Sequence, residues 1–223
     1  MKIKKITSDR NEIAIVKSSG HRESENFDME DKRRKYAVLF RGINAGGKNI
    51  VKMNDLKQFL LGLELQNVQT YIQSGNAVLE SDLDETALQD KIHDGFIGRF
   101  GFESGVIIRN IEEMRALIGQ LPFTRDEIAA AEAADSQVEH LYVYFLDSPP
   151  EQIRIDLICE GDDGPDRLSA GKRELYLLCH QSVRKSKLAV RMSKTFDMAT
   201  GRNWKSVCKL YQMMAGIPVS CTV

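Results

Sequence analysis

Along residues 36–110 the spacing of hydrophobic positions switches repeatedly between the period of a strand and that of a helix. Residues 36–41, Tyr-Ala-Val-Leu-Phe-Arg, are rich in strand formers and predict a strand. Leu56, Phe59, Leu60 and Leu63 then recur at helical spacing behind Asn54, a good N-cap. Residues 68–73 and 77–80 predict two strands joined by a tight turn at Ser74-Gly75-Asn76. Asp84 is placed to cap the next helix, on which Leu88, Ile92, Phe96 and Phe100 fall at spacings of four, and Gly101 is placed to end it. Residues 105–109 predict one more strand. The order β-α-β-β-α-β is that of the split βαβ, or ferredoxin-like, plait.

The second half repeats this order with one helix added. A short helix at 112–118 and an Ala/Glu-rich stretch at 124–137 connect the halves. Residues 141–146 make the strongest strand. Ser148 is expected to cap a helix with Pro149 and Pro150 in its first turn and with Ile153 and Leu157 in the core. Residues 167–169 and 174–179 predict a hairpin around Ala170-Gly171. Ser186 caps a helix with Leu188, Met192 and Phe196 on one face, and residues 199–202 form the last strand. The final helix sets Trp204, Val207, Cys208, Tyr211 and Met214 on one side. The expectation is an α+β protein of two ferredoxin-like halves packed together, each a four-stranded antiparallel sheet with helices on one face. The first plait covers 35–110, a helix and linker 111–137, the second plait with its extra helix 138–216, and a tail 217–223. Residues 1–34 are charged, have strand character only at 13–16, and predict a poorly ordered extension.

Composition narrows the class. The 223 residues are 42% hydrophobic and 28% charged, as in soluble globular proteins. No apolar run is long enough to span a bilayer, and no signal core follows the basic N-terminus, so a cytoplasmic protein is expected. The four cysteines (Cys159, Cys179, Cys208, Cys221) have no C-x-x-C spacing, and none of the four histidines has a second one three or four residues away. Neither a disulfide framework, nor a metal site, nor a cofactor is expected. The net charge of −1 carries no nucleic-acid signature, but its distribution is uneven. From Val183 to Lys209 eight basic residues stand against a single acid, Asp197.

The segment from Gly42 to Lys48 spells G-x-x-x-x-G-K after an apolar run. A nucleotide-hydrolase lysine sits in the first turn of a helix and is followed by Ser or Thr. Here Asn49 follows, and the helix start signal comes only at Asn54. The loop instead offers Arg41, Asn44, Lys48, Asn49 and mobile backbone N–H groups, the parts of an anion-binding nest, or equally of a long turn satisfied by its own side chains. Gln73 and Asn76 lie in the hairpin turn, which in a plain plait is expected at the opposite sheet end from this loop. Lys187, Arg191 and Lys194 share one face of their helix. Asn203 reads as an N-cap and Trp204 as a core residue, with Arg202 and Lys205 solvent-facing on either side.

Arg41-Gly42-Ile43-Asn44, then Gly46-Gly47-Lys48-Asn49 and Tyr71-Ile72-Gln73-Ser74-Gly75-Asn76, resemble the paired signature of the bacterial domain-of-unknown-function family 1697. The likeness continues through Gly164-Pro165-Asp166-Arg167, Arg173-Glu174-Leu175-Tyr176-Leu177, Ser186-Lys187-Leu188 and Arg202-Asn203-Trp204, covering roughly residues 35–215. The chain departs from the usual pattern at Ala189, where the family commonly has Thr, and at Lys205-Ser206, where it commonly has Asn-Thr. The resemblance implies two alpha-beta plaits in one unit and no particular activity.

The sequence contains no Ser-His-Asp arrangement, G-x-S-x-G elbow or H-E-x-x-H, and no aromatics on the third strand to complete an RNA-recognition sheet. The leading expectation is binding of a phosphate-bearing ligand such as nucleic acid through the basic 183–209 segment. Two alternatives stand beside it: an enzyme on a small anionic metabolite with the 41–49 loop as cradle, and a protein-interaction scaffold. The candidate ligand-binding residues are Arg41, Asn44, Lys48, Asn49, Gln73, Asn76, Lys187, Arg191, Arg202, Asn203, Trp204 and Lys205.

Overall fold

In strand β1 (Arg34–Phe40), the side chains from Tyr36 through Phe40 are all buried. A strand covered on both faces has no solvent side, which is why its apolar run is continuous rather than alternating. The computed structural model describes residues 33–218. Apart from Arg33 and Arg34, the extension expected at 1–34 lies outside the described residues, as does the tail beyond 218.

The first half continues with α1 (Met53–Gly62), β2 (Gln66–Tyr71), β3 (Asn76–Ser81), α2 (Glu85–Phe100), β4 (Val106–Asn110) and α3 (Ile111–Gly119). After α4 (Arg125–Ala134) come β5 (Leu141–Phe145), α5 (Gln152–Cys159), β6 (Arg167–Ala170), β7 (Glu174–Leu178), a short 3-10 turn at Val183–Lys185, α6 (Lys187–Thr195), β8 (Thr200–Asn203) and α7 (Trp204–Ala215). The strands form two four-stranded antiparallel sheets, ordered β2-β3-β1-β4 and β6-β7-β5-β8. The two strand orders are the same.

Helices cover both faces of each sheet, not one. α1 and α2 pack on the outer face of the first sheet, where Phe40, Phe59, Phe96 and Phe100 stack edge to face or tilted. α5 and α6 cover the outer face of the second sheet. α3, α4 and α7 fill the space between the inner faces, joining Ala37, Leu39 and Ile107 of one sheet to Val143, Phe145 and Tyr176 of the other in a single core. The Tyr176 hydroxyl donates to the carbonyl of Leu117 on α3, 2.9 Å away, tying that helix to the second sheet. Helix α3 is therefore the counterpart of α7, and the helix without a counterpart is α4.

Local chemistry explains most boundaries. The Asp84, Ser186 and Asn203 side chains each accept the backbone N–H three residues on, and Thr124 and Asn110 close full capping boxes. Gly101 ends α2 in the left-handed region. Two expectations fail. α1 starts at Met53 behind Lys52, which makes no side-chain cap, so Asn54 lies inside the first turn. α5 starts behind Glu151, past both prolines, because Pro150 disfavours helical backbone at the residue before it. Its apolar residues are scattered around the helix, interspersed with Arg154 and Asp156, so spacing could not select the buried pair. Ile155 and Ile158 face the core, whereas Ile153 and Leu157 are 66% and 60% exposed.

The turn before β3 contains the tightest backbone approach in the first half. Gly75 has φ +74°, and a Cβ there would lie 2.7 Å from Ile43 Cδ1 and 3.0 Å from Phe40 Cβ. A Gly75→Ala variant combines left-handed strain with overpacking, and should lose roughly 2–4 kcal/mol in urea unfolding. A loss below about 0.5 kcal/mol would show that the turn relaxes freely.

Candidate functional site

The end of β1 gathers most of the residues singled out in the first half. Leu39 pairs with Asn76, so the 72–75 turn lies beside the loop after β1 and not at the opposite end of the sheet. The expected separation overlooked the direction of the strands: β3 runs antiparallel to β1 and begins where β1 ends. The Phe40 N–H donates to the Gly75 carbonyl at 2.8 Å. Asn44 Nδ2 donates to the carbonyls of Val51 and Gln73, and its Oδ1 accepts the Val51 N–H, stitching loop to turn. Asn49 Nδ2 donates to the Gly42 carbonyl. Ala45 and Lys48 pair across Gly46 and Gly47, whose φ values of +59° and +76° are those of a type I′ turn. The glycines serve a small hairpin with Lys48 exposed at its base, and α1 begins only at Met53. The Asn44 and Asn49 side chains are engaged in holding this loop. Arg41 is half-exposed, its Nη1 3.7 Å from Met198 Sδ.

Arg202 is the largest correction. Expected in solvent, it is 8% exposed and bonded across the boundary between the halves. Its Nε donates to Asn76 Oδ1, and its Nη2 to the carbonyls of Phe40 and Ser74 at 2.9 and 2.8 Å and of Gly75 at 3.3 Å. Desolvation pushes this guanidinium down to about 10, still protonated at neutral pH. Asn76, fully buried, and Trp204, packed in the core between the sheets, are likewise structural and closed to a ligand.

Sequence reading missed the partner of this contact. Arg109 on β4 is 1% exposed and donates through Nη2 to the carbonyls of Leu146 and Arg173, at 2.5 and 2.7 Å. Leu146 N–H in turn donates to the Arg173 carbonyl at 2.9 Å, as Phe40 N–H does to Gly75. The registers match: Ala37 pairs with Arg109 and Val78, and Val143 with Arg202 and Tyr176. Each half thus sends an arginine from its last strand to the end of the other half's first strand. The available signal was the dipeptide Arg-Asn, at Arg109-Asn110 and Arg202-Asn203, each directly before a helix.

The surroundings of the two arginines differ. Beside Arg109 lies a cleft of about 480 Å³ lined by Glu113, Lys172, Arg173 and Glu174 among others. Arg173 forks onto both oxygens of Glu85 and also reaches Glu113 Oε1 at 2.6 Å. Glu174 accepts the N–H groups of Lys172 and Arg173. Burial and the charge of Arg173 push Arg109 down, while hydrogen bonding to Glu85 holds Arg173 up. Arg173 is ion-paired to Glu85 and Glu113, and Arg109 and Glu174 are held by backbone groups, so these side chains serve the structure. Burial pushes the Cys179 thiol up to about 12, which makes it inert at neutral pH. Among the described residues no group of three or more metal-ligating side chains occurs, and no helix is long and apolar enough to cross a membrane.

The basic 183–209 segment does not form one surface. α6 covers the outer face of the second sheet and α7 the inner, so Lys187, Arg191 and Lys194 are separated from Lys205 and Lys209 by the sheet. Arg191 leaves the exposed row, because its Nη1 donates to the carbonyls of Ile158 and Glu160 at the end of α5. Lys205 is exposed but ion-paired to Glu139 at 2.7 Å, and the contact raises its pKa. Arg184, Lys185, Lys187 and Lys194 remain exposed.

The model of a family described as "Protein of unknown function (DUF1697)" matches residues 33–176, more than half of the chain. A solved structure of SP0830, a conserved bacterial protein from Streptococcus pneumoniae, is similar with 24% identity and a TM-score of 0.62, covering 82% of this chain and 99% of its own. That likeness concerns the fold alone. No curated protein matches the chain.

Two stability outcomes follow from the crossing arginines. Arg202→Met removes the donor to Asn76 Oδ1 and to the Phe40 and Ser74 carbonyls and should cost roughly 3 kcal/mol or more in urea unfolding; Arg202→Lys should recover only part, lacking the planar fork. A cost under about 1 kcal/mol for Arg202→Met would contradict the assigned role. Thr200 occupies the position matched by Ile107 in the first half, and its buried Oγ1 has no hydrogen-bond partner. Thr200→Val should therefore raise stability by about 1 kcal/mol, read in the same experiment.

Proposed function

The chain belongs to the DUF1697 family, whose function is unknown, and from that premise we propose that it binds a phosphate-bearing polymer, a nucleic acid, through the basic surface of the Val183–Lys185 turn and α6. One observation carries the reading. Arg184, Lys185, Lys187 and Lys194 are exposed, and their side chains make no hydrogen bond or ion pair within the described residues. Arg191, Arg202 and Lys205, by contrast, are held by carbonyls or a carboxylate. Cations without a protein partner are those that can replace the counterions of a phosphate backbone. The α6 N-terminus, capped by Ser186, adds its partial positive charge to the same place.

The scaffold of this surface is, in our reading, a pair of ferredoxin-like plaits over 35–110 and 138–216. Support comes from the shared strand order and from the matched positions of Arg109 and Arg202. A second reading has its own support. Arg41 and Lys48 lie on one glycine-rich loop, and neither has a carboxylate partner among the described residues, an arrangement suited to a small anionic metabolite.

Fluorescence anisotropy with a short single-stranded RNA separates the readings. Binding is expected at low salt, weakening with a log–log slope of roughly −0.7 per neutralised phosphate. Replacing Arg184, Lys185 and Lys187 together by Gln should flatten that slope by about two units while leaving the urea midpoint unchanged. Absence of binding at low salt, or identical binding by the triple variant, overturns the polymer reading. Saturable stabilisation by one small anion would then favour the second.

A further inference from the structure

Where central strand β5 meets edge strand β8, a pair of side chains keeps one polar group each without a partner among the described residues. On β5 and β8, Tyr142 pairs directly with Asn203, so the two side chains are neighbours on one face of the sheet. Both are half-buried. The Tyr142 hydroxyl makes no hydrogen bond within the described residues. Asn203 uses its Oδ1 to accept the Ser206 N–H that starts α7, and its Nδ2 has no partner among the described residues. The next pair on the same face is Tyr144 with Gly201. Gly201 is exposed, and a Cβ there would come within 2.9 Å of the Tyr144 ring, so no side chain rises between Asn203 and the end of the strand.

Charge lies beside this corner. Arg184, on the basic turn, is close enough to pull the Tyr142 phenol down against the larger upward push of burial. Glu139, ion-paired to Lys205, pushes it up. Tyr142, Val183 and Tyr144 also pack along the rim of the outer core, which holds the ring in place. β8 is an edge strand, so nothing in its sheet lies beyond Asn203.

We propose that Tyr142 and Asn203 form a base-recognition corner for single-stranded nucleic acid, Tyr142 offering its ring for stacking and Asn203 Nδ2 a hydrogen bond to a base edge. The inference rests on the basic-surface reading above and adds the class of polymer to it. Arg184, Lys185 and Lys187 take the backbone phosphates, and the unstacked base of the same strand reaches the tyrosine. A duplex keeps its bases stacked and paired, and cannot present one here. Directly paired residues on adjacent strands set the ring and the amide side by side, as recognition of a single base requires.

The test measures binding of the full chain to single-stranded and duplex RNA of equal length. Single strands should bind more tightly than duplex. Tyr142→Leu should weaken single-strand binding about fivefold or more, and Tyr142→Phe should retain it. The salt slope should be the same for Tyr142→Leu as for the parent, because stacking releases no counterions. Full-strength binding by Tyr142→Leu, with binding still lost in the triple basic variant, overturns the corner and leaves the basic surface standing. Equal affinity for duplex and single strand also overturns it. Absence of any binding by the parent chain overturns both. Should Tyr142→Leu fail to fold, photocrosslinking of 5-iodouridine RNA to the parent chain decides. Adducts on Tyr142 support the corner, and adducts confined to the 184–194 segment overturn it.

Discussion

Two buried guanidiniums, each rooted in one half of the molecule and bonded to the backbone of the other, fix how the halves meet. Arg109 reaches the carbonyls of Leu146 and Arg173, and Arg202 those of Phe40, Ser74 and Gly75. The acceptors are carbonyls at the end of a central strand and in the turn that opens its neighbour. The Gly75 and Arg173 carbonyls also accept the N–H groups of Phe40 and Leu146, and the arginines supply further donors where the sheet ladder ends. Arginine suits them because its planar fork meets two acceptors at once and remains charged when buried. The cost is desolvation of a cation, which pushes both groups below their ordinary range and makes either contact destructive to break. A sliding or hinging motion between the halves would strip both arginines of their acceptors together, so the two sheets are expected to move as one body.

The two contacts are built alike but differ in charge. Glu174 stands next to Arg109 where Asn76 stands next to Arg202, as the register of β3 and β7 shows. The turn residue that offers its carbonyl is Arg173 in one half and Gly75 in the other. A second cation in the turn requires carboxylates, and Glu85 and Glu113 supply them from α2 and α3. The glycine requires none, but it must have no side chain, because Ile43 and Phe40 fill the space a Cβ would need. One junction is therefore stabilised by ion pairs accessible to water, the other by dipoles in a drier setting. Added salt should weaken only the first, through screening.

Local signals in the sequence were legible, and long-range ones were not. Asp84, Ser186 and Asn203 announced helix starts because a cap is decided within four residues. The order of strands and helices followed from periodicity, and the glycine-rich loop's failure to open a helix from Asn49 and the late helix start. What could not be read was which polar residues the tertiary fold consumes. Arg202 looked like part of a basic surface because its acceptors lie more than a hundred residues away. Ile153 and Leu157 looked buried because the apolar residues of α5 are scattered around it, and only the sheet decides which side faces in. The two sheet ends were misjudged for want of strand direction. Arg109 was missed altogether, although the repeated Arg-Asn before a helix was present to be compared.

The fate of the basic segment shows why charge counted along a chain overstates charge available to a ligand. Eight cations between Val183 and Lys209 suggest a strong local field. Folding divides them between two faces of a sheet, buries Arg202, and turns Arg191 and Lys205 onto a helix end and a carboxylate. Carbonyls at the end of α5 draw Arg191 because they carry the partial negative charge of the helix terminus. Of the cations without a partner among the described residues, Arg184 acts on the Tyr142 phenol, and this placement follows from topology. A turn leading from β7 into α6 must pass over the edge on which the last strand is later laid. The connection that completes the sheet thereby carries Arg184 to the start of β5, and where this charge lies is a consequence of the strand order that builds the core.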